Sequence, residues 1–159
     1  PCAGMEVGRL LVRGASQCLG YFKRPDLYAA SLDAEGWFDT GDLARSDGHG
    51  GIRIAGRAKD LVIRGGENVP VAEVESLLYQ HPRVREVAVV AYPDARLGER
   101  ACAVVAPEGE PPTLAELQRH LEGLGMAKSF WPERLEIVDE LPKTPSGKIQ
   151  KFVLRQRLI

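Results

Sequence analysis

Up to Arg57 the apolar positions recur with a strand-like period of two between glycine-rich turns. Beyond Arg57 they fall into short apolar runs alternating with helical faces. Glu6 to Arg13 (EVGRLLVR) is rich in β-formers, and Pro25 followed by DLYAASL fits a short helix opened by proline. Asp42 to Arg45, the turn DGHGG and the alternating IRIAGR at Ile52 to Arg57 predict a hairpin. Further on, Asp60 to Arg64 predicts a short strand running into Gly65 and Gly66. Pro70 to Gln80 places Val74, Leu77 and Leu78 on one helical face. The runs Arg85 to Tyr92 and Arg100 to Ala106, joined by PDARLGE, predict an antiparallel pair. A helix from Leu114 is marked by the capping box Thr113/Glu116 and by Leu114, Leu117, Leu121 and Leu124 at helical spacing. Arg134 to Val138 predicts a strand, and Phe152 to Leu158 a last short helix. The pattern therefore divides into a mostly β first part and an α+β second part of roughly a hundred residues, large enough to fold alone.

Composition narrows the functional classes. With 44% hydrophobic and 27% charged residues in 159, the chain is neither collagenous nor disordered, and its size allows at most two compact units. A formal net charge of −1 supplies no field to hold a polyanion, so no nucleic acid partner is expected. The longest apolar stretch, Val87 to Tyr92, has the length of a strand, so no membrane span is expected either. Cys2, Cys18 and Cys102 lack any CxxC or Cys/His spacing, which argues against a disulfide framework or structural zinc and for a reducing, cytoplasmic location. The opening PCAGMEVG has neither an initiator Met nor a leader pattern and reads as part of a longer protein.

Three segments carry candidate chemistry. In GWFDTGDLA, Gly36 to Ala44, the Asp42 carboxylate follows a glycine turn. It could accept both hydroxyls of a ribose, or simply bond its own backbone as a turn residue. Trp37 and Phe38 read as packing residues. In GRAKDLVIRGGENVPVAEVE, Gly56 to Glu75, the charged Arg57, Lys59 and Asp60 fall where the β part gives way to the α+β part, a place suited to a hinge. Gly65 and Gly66 either let a ligand approach the backbone or form an ordinary hairpin turn. In LPKTPSGKIQK, Leu141 to Lys151, two prolines stiffen a loop that offers Lys148 at its tip. One ammonium so placed could neutralise charge developing on carboxylate and phosphate oxygens. After Glu140 there are five basic residues and no acidic one, so a solvated basic tail explains the flanking charges. The SGK tripeptide lacks the remainder of a phosphate-binding P-loop.

In this order and at these separations, the three segments resemble the C-terminal part of the adenylate-forming, AMP-binding enzymes: acyl-CoA synthetases, aryl-CoA ligases, luciferases and peptide-synthetase adenylation domains. GRLLVRGASQCLGYFKRPD, Gly8 to Asp26, is similar to that family's strand pair leading to its GY(W/F) element. GGENV before PVAEVE looks most like acyl- and aryl-CoA ligases, and the stretch from MAKSFWPERLEIVDELPKTPSGKIQK onward is similar to medium-chain fatty acid and cyclohexanecarboxylate CoA ligases. The resemblance implies that residues 1–58 are the β-rich end of a large N-terminal AMP-binding domain and residues 59–159 the small α+β C-terminal domain, an antiparallel sheet with helices. It implies that Asp42 binds the ATP ribose, that Arg57 contacts ribose or phosphate, and that Lys59 is the hinge. Gly65, Gly66 and Glu67 would line the tunnel for the coenzyme A pantetheine, and Lys148 would be the adenylation lysine. The implied reaction joins a small-molecule carboxylic acid to CoA through an acyl-adenylate, with ATP as the activating substrate. Magnesium is expected with ATP, but none of these residues is assigned to it. The missing N-terminal domain would be the partner, and this portion alone is expected to be inactive. The alternative is a stand-alone interaction module that docks on a separate adenylating subunit.

Overall fold

The computed structural model describes residues 6–158; Cys2, the rest of the opening through Met5, and Ile159 lie outside them. The chain forms two compact units that divide between Lys59 and Asp60.

The first unit is built on a three-stranded antiparallel sheet in the order β1-β2-β3, with β1 Gly8–Val12, β2 Phe38–Ser46 and β3 Ile52–Arg57. A short helix, α1 Pro25–Ala30, precedes β2, and the proline in its first turn brings a φ already suited to a helix. The β2–β3 turn is held by Asp47, whose carboxylate accepts the backbone N–H groups of His49 (2.8 Å) and Gly51 (2.9 Å). Trp37 and Phe38 pack as expected. The Arg13 guanidinium lies 4.8 Å from the Trp37 ring centre, and Phe38 stacks on Tyr28 with centroids 5.9 Å apart.

A 3-10 turn, Ala58–Asp60, leads into the second unit, an α+β arrangement. Its elements are β4 Val62–Arg64, β5 Glu67–Val69, α2 Val71–Leu78, β6 Val84–Asp94, β7 Gly98–Pro107, α3 Leu114–Gly123, β8 Arg134–Ile137 and α4 Lys151–Leu158. The five-stranded sheet runs β5-β4-β7-β6, with β8 also paired to β7. The long hairpin β6–β7 is its spine. Because strand side chains alternate between faces, Val87, Val89, Ala101, Ala103 and Val105 pack under α2 and α3, whereas Ala88, Val90, Cys102 and Val104 pack with Leu141 and with Leu154 of α4. Both faces of the spine are covered, which explains its uninterrupted apolar run.

One local detail differs from the sequence expectation. The sheet is mixed, because β8 pairs parallel to β7 from Cys102↔Arg134 to Val105↔Ile137; the chain crosses back through α3, and such a crossover delivers a parallel neighbour. Glu67 lies in strand β5, opposite Arg64, so the glycine pair is the turn of a β4–β5 hairpin. The capping box on α3 is present, with Glu116 N–H on Thr113 Oγ1 (3.3 Å) and Thr113 N–H on Glu116 Oε2 (2.8 Å). Leu117 and Leu121 are fully buried, whereas Leu124 is exposed because the helix has ended at Gly123. Burial drives the Cys102 thiol up to about 12, and Cys18 and Cys102 are both unbridged.

Candidate functional site

The sequence-predicted residues gather at three places. In the first unit, strand register sets Asp42 of β2 directly opposite Arg57 of β3. Arg57 Nε lies 2.8 Å from Asp42 Oδ1, and Arg57 Nη1 donates to the Thr40 carbonyl at 3.3 Å. Asp42 is half-buried and Arg57 more exposed. Beside the pair is a recess of ≈ 270 Å³ whose lining includes Tyr21, Asp39, Thr40, Arg57 and Lys59. The Thr40–Gly41–Asp42 backbone is fixed from two sides: Asp39 Oδ1 accepts the Gly41 N–H at 2.8 Å, and Thr40 Oγ1 accepts the Asp42 N–H at 3.1 Å. The pair sets an acceptor for a diol beside a cation for an anion, the two chemistries that the ribose and phosphate of a nucleotide present. Lys59 closes this unit as the last residue before the division.

In the second unit, Gly65 and Gly66 turn the chain from β4 to β5 with φ of +59° and +88°, the left-handed region that glycine enters without strain. The Gly65 N–H donates to the Leu97 carbonyl at 2.9 Å, which ties this turn to the tight turn between β6 and β7. Gly65, Gly66 and Glu67 are all exposed, so bare backbone faces outward at the turn.

The third place is the loop that carries Lys148. Lys143 and Ile149 form an isolated antiparallel bridge, and Gln150 N–H donates to the Pro142 carbonyl at 2.8 Å. Inside that base, Thr144 N–H donates to the Lys148 carbonyl (2.9 Å), Gly147 N–H to the Thr144 carbonyl (2.9 Å), and Lys148 N–H to Thr144 Oγ1 (3.1 Å). Lys148 is therefore an exposed ammonium on a closed hydrogen-bonded turn rather than a residue of a loose basic tail. The base is pinned to β6 by an ion pair between Lys143 and Glu86, and Leu141 is buried beneath it.

These anchors define the spacing of the second unit's two features. Glu86 and Asp94 stand eight residues apart on β6, roughly 25 Å at the usual rise of a strand. The lysine turn is held at one end of the spine and the glycine turn at the other. Of the flanking charges read as a solvated tail, Lys143, Lys151 and Arg155 are instead held in ion pairs. Lys151 Nζ lies 2.7 Å from Glu75 Oε1, which also accepts the Val89 N–H (2.6 Å), and Arg155 Nη2 lies 3.1 Å from Asp60 Oδ1. Among the described residues no group of three or more His, Cys, Asp or Glu side chains gathers.

Sequence reasoning missed the residues that hold these features. Thr144 lies within PKTPSGK and could have been found from its four-residue spacing to Lys148. Asp94 caps the local turn PDARLG and could have been found there, whereas Glu86 and Glu133 carry no local signal, because their partners lie 33 to 69 residues away in the chain.

Comparison with known proteins places the chain among relatives. Residues 73–148 match the family model of the AMP-binding enzyme C-terminal domain. The chain is 44% identical to the medium-chain fatty-acid–CoA ligase of Escherichia coli over 99% of its own length and 28% of that enzyme. It is 42% identical to the 2,3-dihydroxybenzoate-AMP ligase of Bacillus subtilis, covering 96% of this chain and 28% of the relative. The chain thus spans under a third of the length of the curated relatives it matches. Among solved structures, ATP-bound MatB from Rhodopseudomonas palustris superposes with a TM-score of 0.85 at 37% identity, over 98% of this chain and 31% of that one. The o-succinylbenzoate CoA synthetase of Bacillus subtilis, in complex with its acyl-adenylate intermediate, gives 0.88 at 34% identity over 97% and 31%.

Proposed function

The chain belongs to the adenylate-forming enzymes through its AMP-binding enzyme C-terminal domain, and on that premise we propose that it is the C-terminal portion of an ATP-dependent acid–CoA ligase. The reaction is carboxylate plus ATP to acyl-adenylate and pyrophosphate, followed by attack of the CoA thiol on the acyl carbon with AMP leaving. Asp42 accepts the ribose hydroxyls, and Arg57 orients that carboxylate while facing the phosphate side. Lys148 sets its ammonium against the oxygens that gain negative charge as the carboxylate attacks phosphorus. The bare backbone of Gly65 and Gly66, with Glu67 beside it, admits the pantetheine arm in the second step.

The observation that carries this reading is the separation of the two turns along β6. One rigid unit with a cation at one end and a glycine turn at the other serves a single bound acyl group by presenting first one and then the other. The division of the chain after Lys59 supports a hinge at that residue for the movement. Magnesium accompanies ATP in this reading and draws no ligand from these residues. The relatives' names add fatty and aromatic acids as candidate substrate classes.

The test is ATP–pyrophosphate exchange by the complete protein across short, medium, long, alicyclic and aromatic acids, followed by CoA-dependent release of AMP. Acid-dependent exchange followed by thioester is the expected result. An absence of acid-dependent exchange with every class would refute the reading and favour the alternative, a non-catalytic module docked on a separate adenylating subunit.

A further inference from the structure

The glycine turn sits inside a closed circuit of charged and hydrogen-bonded groups. Gly65 N–H donates to the Leu97 carbonyl at 2.9 Å, and Leu97 N–H donates to Asp94 Oδ1 at 2.9 Å. Asp94 Oδ2 lies 2.6 Å from Arg100 Nε in an ion pair, and Arg100 Nη1 donates to Glu133 Oε1 at 3.1 Å. Glu133 then takes Arg64 in a two-pronged grip, with Arg64 Nη2 on Oε1 at 2.8 Å and Arg64 Nε on Oε2 at 3.2 Å. Arg64 is covalently joined to Gly65, so the ring closes. The side chains of Arg64, Arg100, Asp94 and Glu133 are between 20% and 27% exposed, enough burial to weaken competition from water.

Each member constrains a different motion of the turn. The Leu97 carbonyl fixes the height of Gly65 above the β6–β7 turn, while the planar Arg64–Glu133 fork fixes the direction in which β4 enters it. Glu133 is the junction, because it joins Arg64, in the strand before the glycines, to Arg100, the β7 residue that braces Asp94. Apart from this circuit, β4 meets β7 through the cross-strand pair Arg64↔Gly98 and the Ile63 N–H on Glu99 Oε2 at 2.8 Å, neither of which orients the Arg64 side chain.

We propose that Glu133 is a positioning residue for the Gly65–Gly66 turn, required for the thioester-forming half-reaction and dispensable for adenylate formation. The proposal rests on the functional reading above, in which the glycine turn serves only the second step. Glu133→Gln keeps the shape of the side chain and one acceptor oxygen but replaces the other by an amide N–H₂, which removes a limb of the fork and the negative charge shared by two guanidinium groups.

The test uses the complete enzyme and measures the half-reactions separately: ATP–pyrophosphate exchange for adenylation, and single-turnover conversion of pre-formed acyl-adenylate with CoA for thioester formation. For Glu133→Gln, exchange is expected to stay within about twofold of wild type while the thioester step slows by about tenfold, the scale of one lost charge-assisted partner. Glu133→Asp, which restores the charge at shorter reach, is expected to recover part of the loss. Equal loss of both half-reactions, or no loss in either, overturns the proposal. If Glu133→Gln does not fold, Arg100→Lys, which keeps a charge but loses the Glu133–Asp94 bridge, must show the same one-sided loss or the proposal fails. Wild-type enzyme run in parallel separates this failure from failure of the functional reading, which would appear as absent exchange before any substitution.

Discussion

Replacing Gly65 by alanine tests the glycine turn where its geometry is tightest. Gly65 has φ +59°, and a methyl group there would stand 3.2 Å from Leu97 Cδ2; Gly66 has φ +88° and nothing within 4 Å of the same position. The left-handed conformation costs an L-residue about 1–2 kcal/mol, which both substitutions incur. Only Gly65→Ala also displaces Leu97, whose flexible end can turn aside for about 0.5–1 kcal/mol of rotamer strain. Gly66→Ala should therefore destabilise the second unit by about 1–2 kcal/mol. Gly65→Ala should exceed it by about 0.5–1 kcal/mol. The assay is urea unfolding of the 159-residue chain in a Trp37→Phe background, so that Trp131, whose indole N–H donates to the Met126 carbonyl at 2.9 Å, reports the second unit alone. Leu97→Ala should erase the difference between the two glycine variants. If Gly65→Ala unfolds with wild type, or if the difference survives Leu97→Ala, the close packing of this turn on Leu97 is wrong.

Other expectations follow from the same geometry. The Glu116 carboxyl is drawn down to about 2 by the Thr113 backbone N–H and hydroxyl and by Arg83. Its folded pKa thus lies below the unfolded value, so its contribution is complete above about pH 4.5 and is lost as pH falls toward 2; Glu116→Gln should flatten that part of the acid-unfolding profile. Unchanged acid sensitivity in the variant would count against the cap as its cause. Thr144→Val removes the hydroxyl that accepts the Lys148 N–H at 3.1 Å, a bond on the order of 1 kcal/mol. In the complete enzyme it should slow pyrophosphate exchange several-fold and spare the thioester step, with Thr144→Ser near wild type. Equal behaviour of the valine and serine variants would show that the hydroxyl does not hold the turn.

How far the sequence disclosed this molecule depended on whether the deciding contact was local. The α3 capping box, the β2–β3 turn and the β6–β7 hairpin all lie within short stretches of chain, and each is legible from spacing and turn residues. The spine's apolar run fixed a strand but not its surroundings; burial on both faces depends on α2, α3 and α4 arriving from elsewhere. The parallel direction of β8 follows from the crossover through α3, which no residue in RLEI encodes. At the site, Asp42 and Arg57 could be named separately, yet only the β2–β3 register puts them face to face. Lys148 and the glycine pair were legible as motifs, while the Arg64–Glu133 and Arg100–Glu133 contacts span 69 and 33 residues and leave no trace in any local pattern.

The most direct measurement of the central claim is the pair of half-reactions of the complete enzyme carrying Lys148→Ala. The two turns are anchored at opposite ends of β6, and in the proposed reaction each serves its own step. Loss of the ammonium should cut ATP–pyrophosphate exchange by about a hundredfold or more while pre-formed acyl-adenylate still reacts with CoA at close to the wild-type rate. Parallel loss of both steps would contradict the division of labour between the lysine turn and the glycine turn.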